Sequence, residues 1–393
     1  MNIPTSCKTL LGAAGLLVLA ACQPQTTETA VETDACRFEN VHFIRDFPGA
    51  RLNDCIQLDE QHFQLRIDPA FQPVNPSAWY AFQVSSESEQ TLDITLTASA
   101  GFARYQPKIS SDGEQWQALT FQADEADMHF TLAAGPQPQY VAAQPLIVGE
   151  HYDDWLAQQQ SVPGHEVLSL GDSELRRPLQ ALQLTSGADS DNKPWLVLVG
   201  RQHPPEITGA LAFFGFANRL LADDELAQRF RDTFNILMIP NVNPDGVALG
   251  HWRHNSNGID LNRDWHDRTQ AETRVVAQAL ADRIQKPQQL AFALDFHSTN
   301  RNVYYSMPEE KGLRNPQLTK TWLAEKARRL PDVVFNEVPG DYPEGGVFKQ
   351  FIADTYGAHA VTYEVGDNTD PEEIELTATT SAEVLMELLL STN

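Results

Sequence analysis

Imidazoles, carboxylates and guanidinium groups recur in five short segments of this chain, and their types and order suit amide hydrolysis by metal-activated water. Arg201-Gln202-His203-Pro204-Pro205-Glu206 comes first. Asn243-Pro244-Asp245-Gly246, Asp260-Leu261-Asn262-Arg263, Asp295-Phe296-His297 and Tyr363-Glu364 follow. His203, Glu206 and His297 offer the two imidazoles and one carboxylate of a catalytic zinc, leaving one position for water. Asn262 and Arg263 pair as anion-binding groups suited to a free peptide carboxylate, and Glu364 adds a carboxylate able to move a proton. His-x-x-acid spacing alone is weak evidence: 11 His in a chain with 53 Asp+Glu give about 1.5 such pairs by chance. His151-Tyr152-Asp153-Asp154 is another; it follows no buried strand and is read as solvated surface. His203 and Glu206 differ, because Pro204-Pro205 stiffen the backbone between them and Glu206 opens a helix.

The elements that must position these groups are read from apolar periodicity. Trp195–Gly200 is a continuous apolar run, as in a strand buried on both faces, and Ile207–Leu221 reads as a helix. Further buried strands are expected at 235–240, 290–296 and 358–363, and helices at 271–284 and 317–329. Strands alternating with helices imply an α/β sheet covered on both faces, with the site at the carboxyl ends of strands. Before about residue 150 the texture is β. Segments 78–84 and 91–97 alternate apolar and polar residues, and Ser111-Asp112-Gly113 makes a turn before Trp116, which suits a small antiparallel sandwich. A carbohydrate-binding or adhesive module would have the same texture.

The chain's 393 residues suffice for two domains, and 28 Lys+Arg against 53 Asp+Glu argue against nucleic acid or anionic headgroups as general partners. Lys8 and the apolar run 10–21, too short to span a bilayer, mark a targeting signal. Leu19-Ala20-Ala21-Cys22 resembles the lipobox of bacterial lipoproteins. That resemblance implies cleavage before Cys22, lipidation of Cys22, a lipid anchor as the only membrane contact and, with Gln23 following, an outer-membrane lipoprotein facing the periplasm. The expected layout is a signal over 1–21, a polar tether over 22–35, a β-sandwich over 36–150 and a catalytic domain over 151–393. Cys36 and Cys55 then remain in an oxidising compartment, where a disulfide is expected; two buried free thiols are the alternative.

His203-x-x-Glu206, Asn243-Pro244-Asp245-Gly246, His251-Trp252-Arg253, Asp260-Leu261-Asn262-Arg263-Asp264-Trp265, His297-Ser298 and Glu364 together resemble the motifs of the funnelin-type zinc carboxypeptidases, over 165 to 390. About 90 residues separate Glu206 from His297, as in the cytosolic carboxypeptidase branch. The Trp79-Tyr80-Ala81-Phe82 strand and the Ser111-Asp112-Gly113 turn resemble that branch's leading β module. The resemblance implies a mixed sheet with helices on both faces and one zinc ion per chain on His203, Glu206 and His297. It implies Glu364 as general base, Arg253 on the scissile carbonyl, Asn262 and Arg263 on the terminal carboxylate, and Asp260 orienting His203. Tyr342, 22 residues before Glu364, falls where the family carries a tyrosine that closes over substrate, although a loop tyrosine without a task fits equally. Lys349 then falls at the specificity pocket and would favour acidic C-terminal residues. The expected partners are peptide or protein C-termini. Two alternatives stay open: a zinc amidohydrolase of the aspartoacylase or desuccinylase type, and a non-catalytic surface binding protein that keeps the fold.

Overall fold

A computed structural model of the chain describes residues 36–185 and 190–392. The signal and tether read over 1–35, Cys22 among them, lie outside the described residues. The first region holds two five-stranded sheets. One runs in the order β1 (Val41–Ile44), β4 (Ala81–Ser86), β10 (Gln139–Ala142), β6 (Lys108–Ser110), β7 (Gln117–Ala118). The other runs β2 (Asp54–Gln57), β3 (His62–Ile67), β5 (Gln90–Ala98), β9 (Asp127–Ala134), β8 (Phe121–Asp124). In β5, Leu92, Ile94 and Leu96 point inward between polar neighbours and share a core with Met128, Phe130 and Leu132 of β9 and with Phe43, Phe82 and Val141 of the other sheet. The strands pair antiparallel except β3 with β5, which run parallel. Between them the chain crosses to the other sheet for β4, and so it returns in its original direction. A disulfide joins Cys36 to Cys55.

The second region is built on eight strands in the order β11 (His165–Asp172), β12 (Pro178–Leu184), β14 (Asn235–Ile239), β13 (Trp195–Gly200), β15 (Leu290–Thr299), β18 (His359–Gly366), β16 (Val303–Ser306), β17 (Glu337–Pro339). The central four, from β14 to β18, are parallel, and antiparallel strands flank them. Helices α1 (Gly149–Gln159), α2 (Ile207–Leu221), α3 (Glu225–Thr233), α6 (Leu318–Arg329) and α8 (Pro371–Thr392) contribute to the core on one face. Helices α5 (Ala271–Arg283) and α7 (Phe348–Tyr356) cover the other, and α4 (Pro244–Ala248) is a short turn after β14. Successive residues of a central strand enter opposite cores, Leu196 and Leu198 on one side and Val197 and Val199 on the other. This two-sided burial is why the strand reads as an unbroken apolar run. The two regions share packing, since Ile207, Ala210 and Trp252 of the second belong to the sandwich core.

Candidate active site

His203 and Glu206 occupy the turn between β13 and α2, and Glu206 is the residue at the mouth of that helix. The turn begins at Arg201, whose φ of 55° puts a non-glycine residue in the left-handed region. Buried hydrogen bonds hold it there: Arg201 donates to Pro204 O at 2.9 Å and to Tyr152 Oη at 2.7 Å. Further on, α2 approaches β15 very closely at Gly209, whose N–H donates to Ser298 Oγ at 2.8 Å.

His297 stands on β15. Its Nδ1 lies 2.7 Å from Glu206 Oε2 and 3.2 Å from His203 Nδ1, and His203 Nδ1 is 2.8 Å from Glu206 Oε1. The far nitrogen of each ring faces a carboxylate: His203 Nε2 meets Asp260 Oδ1 at 2.9 Å, and His297 Nε2 meets Asp295 Oδ2 at 2.8 Å. With Nε2–H donated outward, two imidazole lone pairs and a carboxylate converge inside a buried site. Such a donor set repels itself unless a cation sits among its members, and it is the only group of three metal-capable side chains found among the described residues. The charges agree. Burial alone would lower the His297 pKa, but Asp295 and Glu206 outweigh it and hold the ring well above the usual histidine range. Burial would likewise raise Glu206, yet the two imidazoles keep it well below the usual carboxylate range. The residues present fit a zinc ion.

Asp295 and Gln202 carried no role in the sequence reading. Asp295 precedes His297 by two, so the two share one face of the strand. Gln202 Nε2 donates to both Asp295 oxygens at 2.9 Å, and its Oε1 accepts from Trp265 Nε1 at 2.9 Å. Asn243 accepts from Gly246 N and donates to Gln202 O, so the Asn-Pro-Asp-Gly segment caps α4 and buttresses this chain of contacts. Its Asp245 accepts from Ser173, Arg177 and the Leu175 N–H, which ties down the β11–β12 connection.

Asp260 also accepts from Arg253 Nε at 2.7 Å, and His203 with Arg253 and Arg263 holds its carboxyl well below the usual range against the effect of burial. The terminal nitrogens of Arg253 have no partner among the described residues. Asn262 Oδ1 accepts from Phe348 N at 2.9 Å, and its Nδ2 lies 3.1 Å from His297 Nε2, whose N–H is directed to Asp295. Arg263 is exposed, with Nη1 on Asn262 O. Gly346, at φ 60°, lets its backbone press on this segment, because a β-carbon there would fall 2.1 Å from Arg263 O. Glu364 on β18 is the direct register partner of His297 on β15. Its Oε2 is buried without a hydrogen-bond partner among the described residues. Burial first and Glu206 second push its carboxyl up to about 7.

Tyr342 and Lys349 come together, with the Lys349 Nζ 5.5 Å from the centre of the Tyr342 ring. Tyr342 is exposed, whereas Lys349 is buried, one residue after the Phe348 N–H that meets Asn262. Its Nζ donates to Ser306 O at 3.1 Å and to Gly340 O, so the ammonium is turned onto carbonyl groups. Burial brings its pKa down to about 8. His151 has a local task, accepting from Val148 N at the start of α1, and Asp154 is exposed.

The sequence model of zinc carboxypeptidases matches residues 152–383, and that of the cytosolic carboxypeptidase N-terminal domain matches residues 45–143. Cytosolic carboxypeptidase 6 of Caenorhabditis elegans is 27% identical over 205 residues, 48% of this chain and 44% of that protein. The chain spans about half or less of the length of the curated relatives it matches. Among solved structures, a metallo-carboxypeptidase from Burkholderia cenocepacia superposes with a TM-score of 0.76 at 19% identity, covering 90% of this chain and 99% of that one. One from Pseudomonas aeruginosa, in complex with (2-guanidinoethylmercapto)succinic acid, gives 0.73 at 22% identity, covering 88% and 100%. At these identities the two structures speak for the fold.

Proposed function

The chain belongs to the zinc carboxypeptidase family, and from that premise we propose that it is a zinc-dependent enzyme removing single residues from the free C-termini of peptides or proteins. The observation that carries the reading is the convergence of His203 Nδ1, His297 Nδ1 and the Glu206 carboxylate, with Asp260 and Asp295 behind the rings and Glu364 in register beside them. One zinc ion per chain on His203, Glu206 and His297 would supply a Lewis acid that brings the pKa of water towards neutrality. Glu364 takes the proton from the attacking water and hands it to the leaving amine. Arg253, anchored through Nε, turns its free nitrogens to the scissile carbonyl and the oxyanion that forms there. Arg263, with Asn262 beside it, receives the substrate's terminal carboxylate through paired N–H groups. Tyr342 closes over the bound residue.

For the last side chain we propose an acidic preference set by Lys349. The support is a buried cation beside Tyr342 whose partners are mostly neutral carbonyls, so an incoming carboxylate adds the charge it lacks. The experiment is kcat/KM of the purified protein on peptides differing only in the final residue, with products read by mass spectrometry. Single-residue losses abolished by a chelator and restored by zinc are expected, fastest for Glu or Asp, with Lys349→Ile moving the preference to apolar termini. Full activity in strong chelator removes the zinc reading; a wild-type preference for Phe or Leu removes the role of Lys349. Release of acid from N-acyl amino acids in place of peptide trimming would favour the amidohydrolase, and no turnover of either would favour the binding protein.

We also propose a lipid anchor at Cys22 and a periplasmic location, supported by Leu19-Ala20-Ala21-Cys22 and by the Cys36–Cys55 disulfide, which suits an oxidising compartment. No helix among the described residues is long and apolar enough to cross a membrane.

A further inference from the structure

The loop between β5 and β6 carries one side chain of the sandwich to the carboxyl end of the catalytic sheet. Arg104 Nε donates to Asp367 Oδ2 at 2.8 Å and Nη2 to Oδ1 at 3.1 Å, while Nη1 donates to Ser77 Oγ at 2.6 Å. The pair is well shielded, with 11% of the arginine side chain and 4% of the aspartate exposed. Asp367 is the first residue beyond β18, three positions after Glu364. Its N–H donates to Thr299 O at 2.8 Å, at the end of the strand that bears His297. Its carbonyl accepts from Gln144 Nε2 at 2.8 Å, a second contact from the first region. Asp367 is therefore gripped by side chain and carbonyl from the sandwich and by its N–H from β15.

This grip matters because of what Glu364 lacks. With Oε2 unpartnered among the described residues, little about the side chain itself fixes the carboxylate. Its place follows from the backbone of β18, whose ladder to β15 ends at the pair Thr299 and Gly366. Asp367 is the next hold along the chain. A two-toothed guanidinium–carboxylate contact is directional as well as strong, and in a shielded site it resists displacement.

We propose that Arg104 is a positioning residue for peptide hydrolysis: by clamping Asp367 it fixes the end of β18 and so the carboxylate of Glu364. The sandwich then completes the seat of the base and is more than a separate adhesive or carbohydrate-binding module. The proposal rests on the reading of Glu364 as the base.

The test is a double-mutant cycle on the full chain, using Arg104→Gln, Arg104→Lys and Glu364→Gln, with zinc content, kcat, KM and amide hydrogen exchange as readouts. Arg104→Gln should retain its zinc and lose ~10-fold or more in kcat with KM changed less than about twofold, as expected of a displaced catalytic group. Arg104→Lys should recover part of the loss, since an ammonium cannot span both oxygens. In the Glu364→Gln background Arg104→Gln should cost nothing more, because both act through one group. Exchange of the amides at 364–368 should quicken in Arg104→Gln while β5 and β9 stay protected. A loss that multiplies unchanged on Glu364→Gln, a loss in KM alone, or unaltered exchange at 364–368 overturns the proposal. If Glu364→Gln by itself keeps full kcat, the base assignment falls, and the exchange data still decide whether the clamp exists. Should Arg104→Gln fail to fold, Asp367→Asn keeps the shape, weakens the same pair and gives the same readouts.

Discussion

Gly209 sets the distance between Glu206 and His297, the proposed zinc donors, and an added methyl group should show it. A β-carbon at this position would lie 2.5 Å from His297 O, 2.6 Å from the carbonyl carbon and 2.9 Å from Cα. Ordinary contact begins near 3.4 Å, so α2 and β15 must part by about 0.9 Å, the difference between 3.4 and 2.5. Neither side can yield by a rotamer change, since the obstacle is backbone. Glu206 stands three residues before Gly209 at the mouth of α2 and His297 on β15, so the gap opens across their 2.7 Å contact. Overpacking of this kind costs about 1–3 kcal/mol of stability. A shift of about 1 Å in a preorganised site costs ~100-fold in rate, and disturbed support of metal ligands costs ~10–100-fold in metal affinity. Gly209→Ala should therefore lower kcat/KM on a cleaved peptide by ~100-fold, weaken zinc retention in a chelator titration by at least ~10-fold, and lower Tm. Gly149→Ala, where nothing lies within 4 Å of the new carbon, is the control and should change none of these. A Gly209→Ala protein with wild-type zinc affinity and kcat/KM would refute the claim that this contact spaces the donors.

Glu364→Gln should keep zinc bound while kcat falls by ~100-fold or more, whereas Glu206→Gln should lose the metal; the opposite pattern in metal analysis would show that the two carboxylates have been exchanged. Lys326 is fully buried, 4.0 Å from the Tyr304 ring centre and 4.1 Å from that of Trp322, with no hydrogen-bond partner for Nζ among the described residues, and burial holds its pKa well below the lysine range. The unfolded chain then binds a proton up to about pH 10.4 that the folded chain does not, so this site makes stability rise with pH between the folded pKa and ~10.4. Lys326→Met should be more stable than wild type at pH 7 and should lack that slope; equal slopes in urea denaturation at pH 7 and pH 9 would mean that the surrounding rings keep the amine charged. Cys22→Ala should release the protein from the membrane fraction, while Cys36→Ser should cost ~2–4 kcal/mol of stability without moving it; a membrane-bound Cys22 variant would show another anchor.

The elements legible in the sequence were those whose pattern is dictated by burial on both sides or by one clean helical stripe. Trp195–Gly200 and Ile207–Leu221 have in the structure the bounds read from the sequence, and the strand expected at 290–296 extends to Thr299. Helix α8 left no such mark, because Thr377, Thr380 and Ser381 are buried among its apolar residues and blur the stripe. Strands β16 and β17 were too short for any period to register. At the site, residue types and order nominated His203, Glu206 and His297, while Asp260 and the role of Glu364 came from the family resemblance. The pairing of His297 with Glu364 was not legible, since cross-strand register between distant segments follows from tertiary packing. Asp295 could have been found, as its spacing of two from His297 on a strand puts both on one face. Arg104 could not, because the sequence has no local signal tying it to Asp367.

The charge balance explains why so many carboxylates are tolerated here. Glu206, Asp260, Asp295 and Glu364 surround two imidazoles in a space that is largely buried, and Glu206 and Asp295 press a proton onto His297 when nothing else is offered. A proton and a divalent cation compete for the same nitrogens, so the groups that raise the basicity of His297 also raise its value as a ligand. The guanidinium groups stand further out: Arg253 reaches in through Asp260, Arg263 is exposed, and Arg104 is held by Asp367. Negative charge thus gathers among His203, Glu206 and His297, and positive charge at its rim, where the proposed roles of Arg253 and Arg263 need it. A purely structural metal clasp would have every donor facing the ion, whereas here Arg253 keeps its terminal nitrogens open beside the donor set, as the proposed hydrolysis requires.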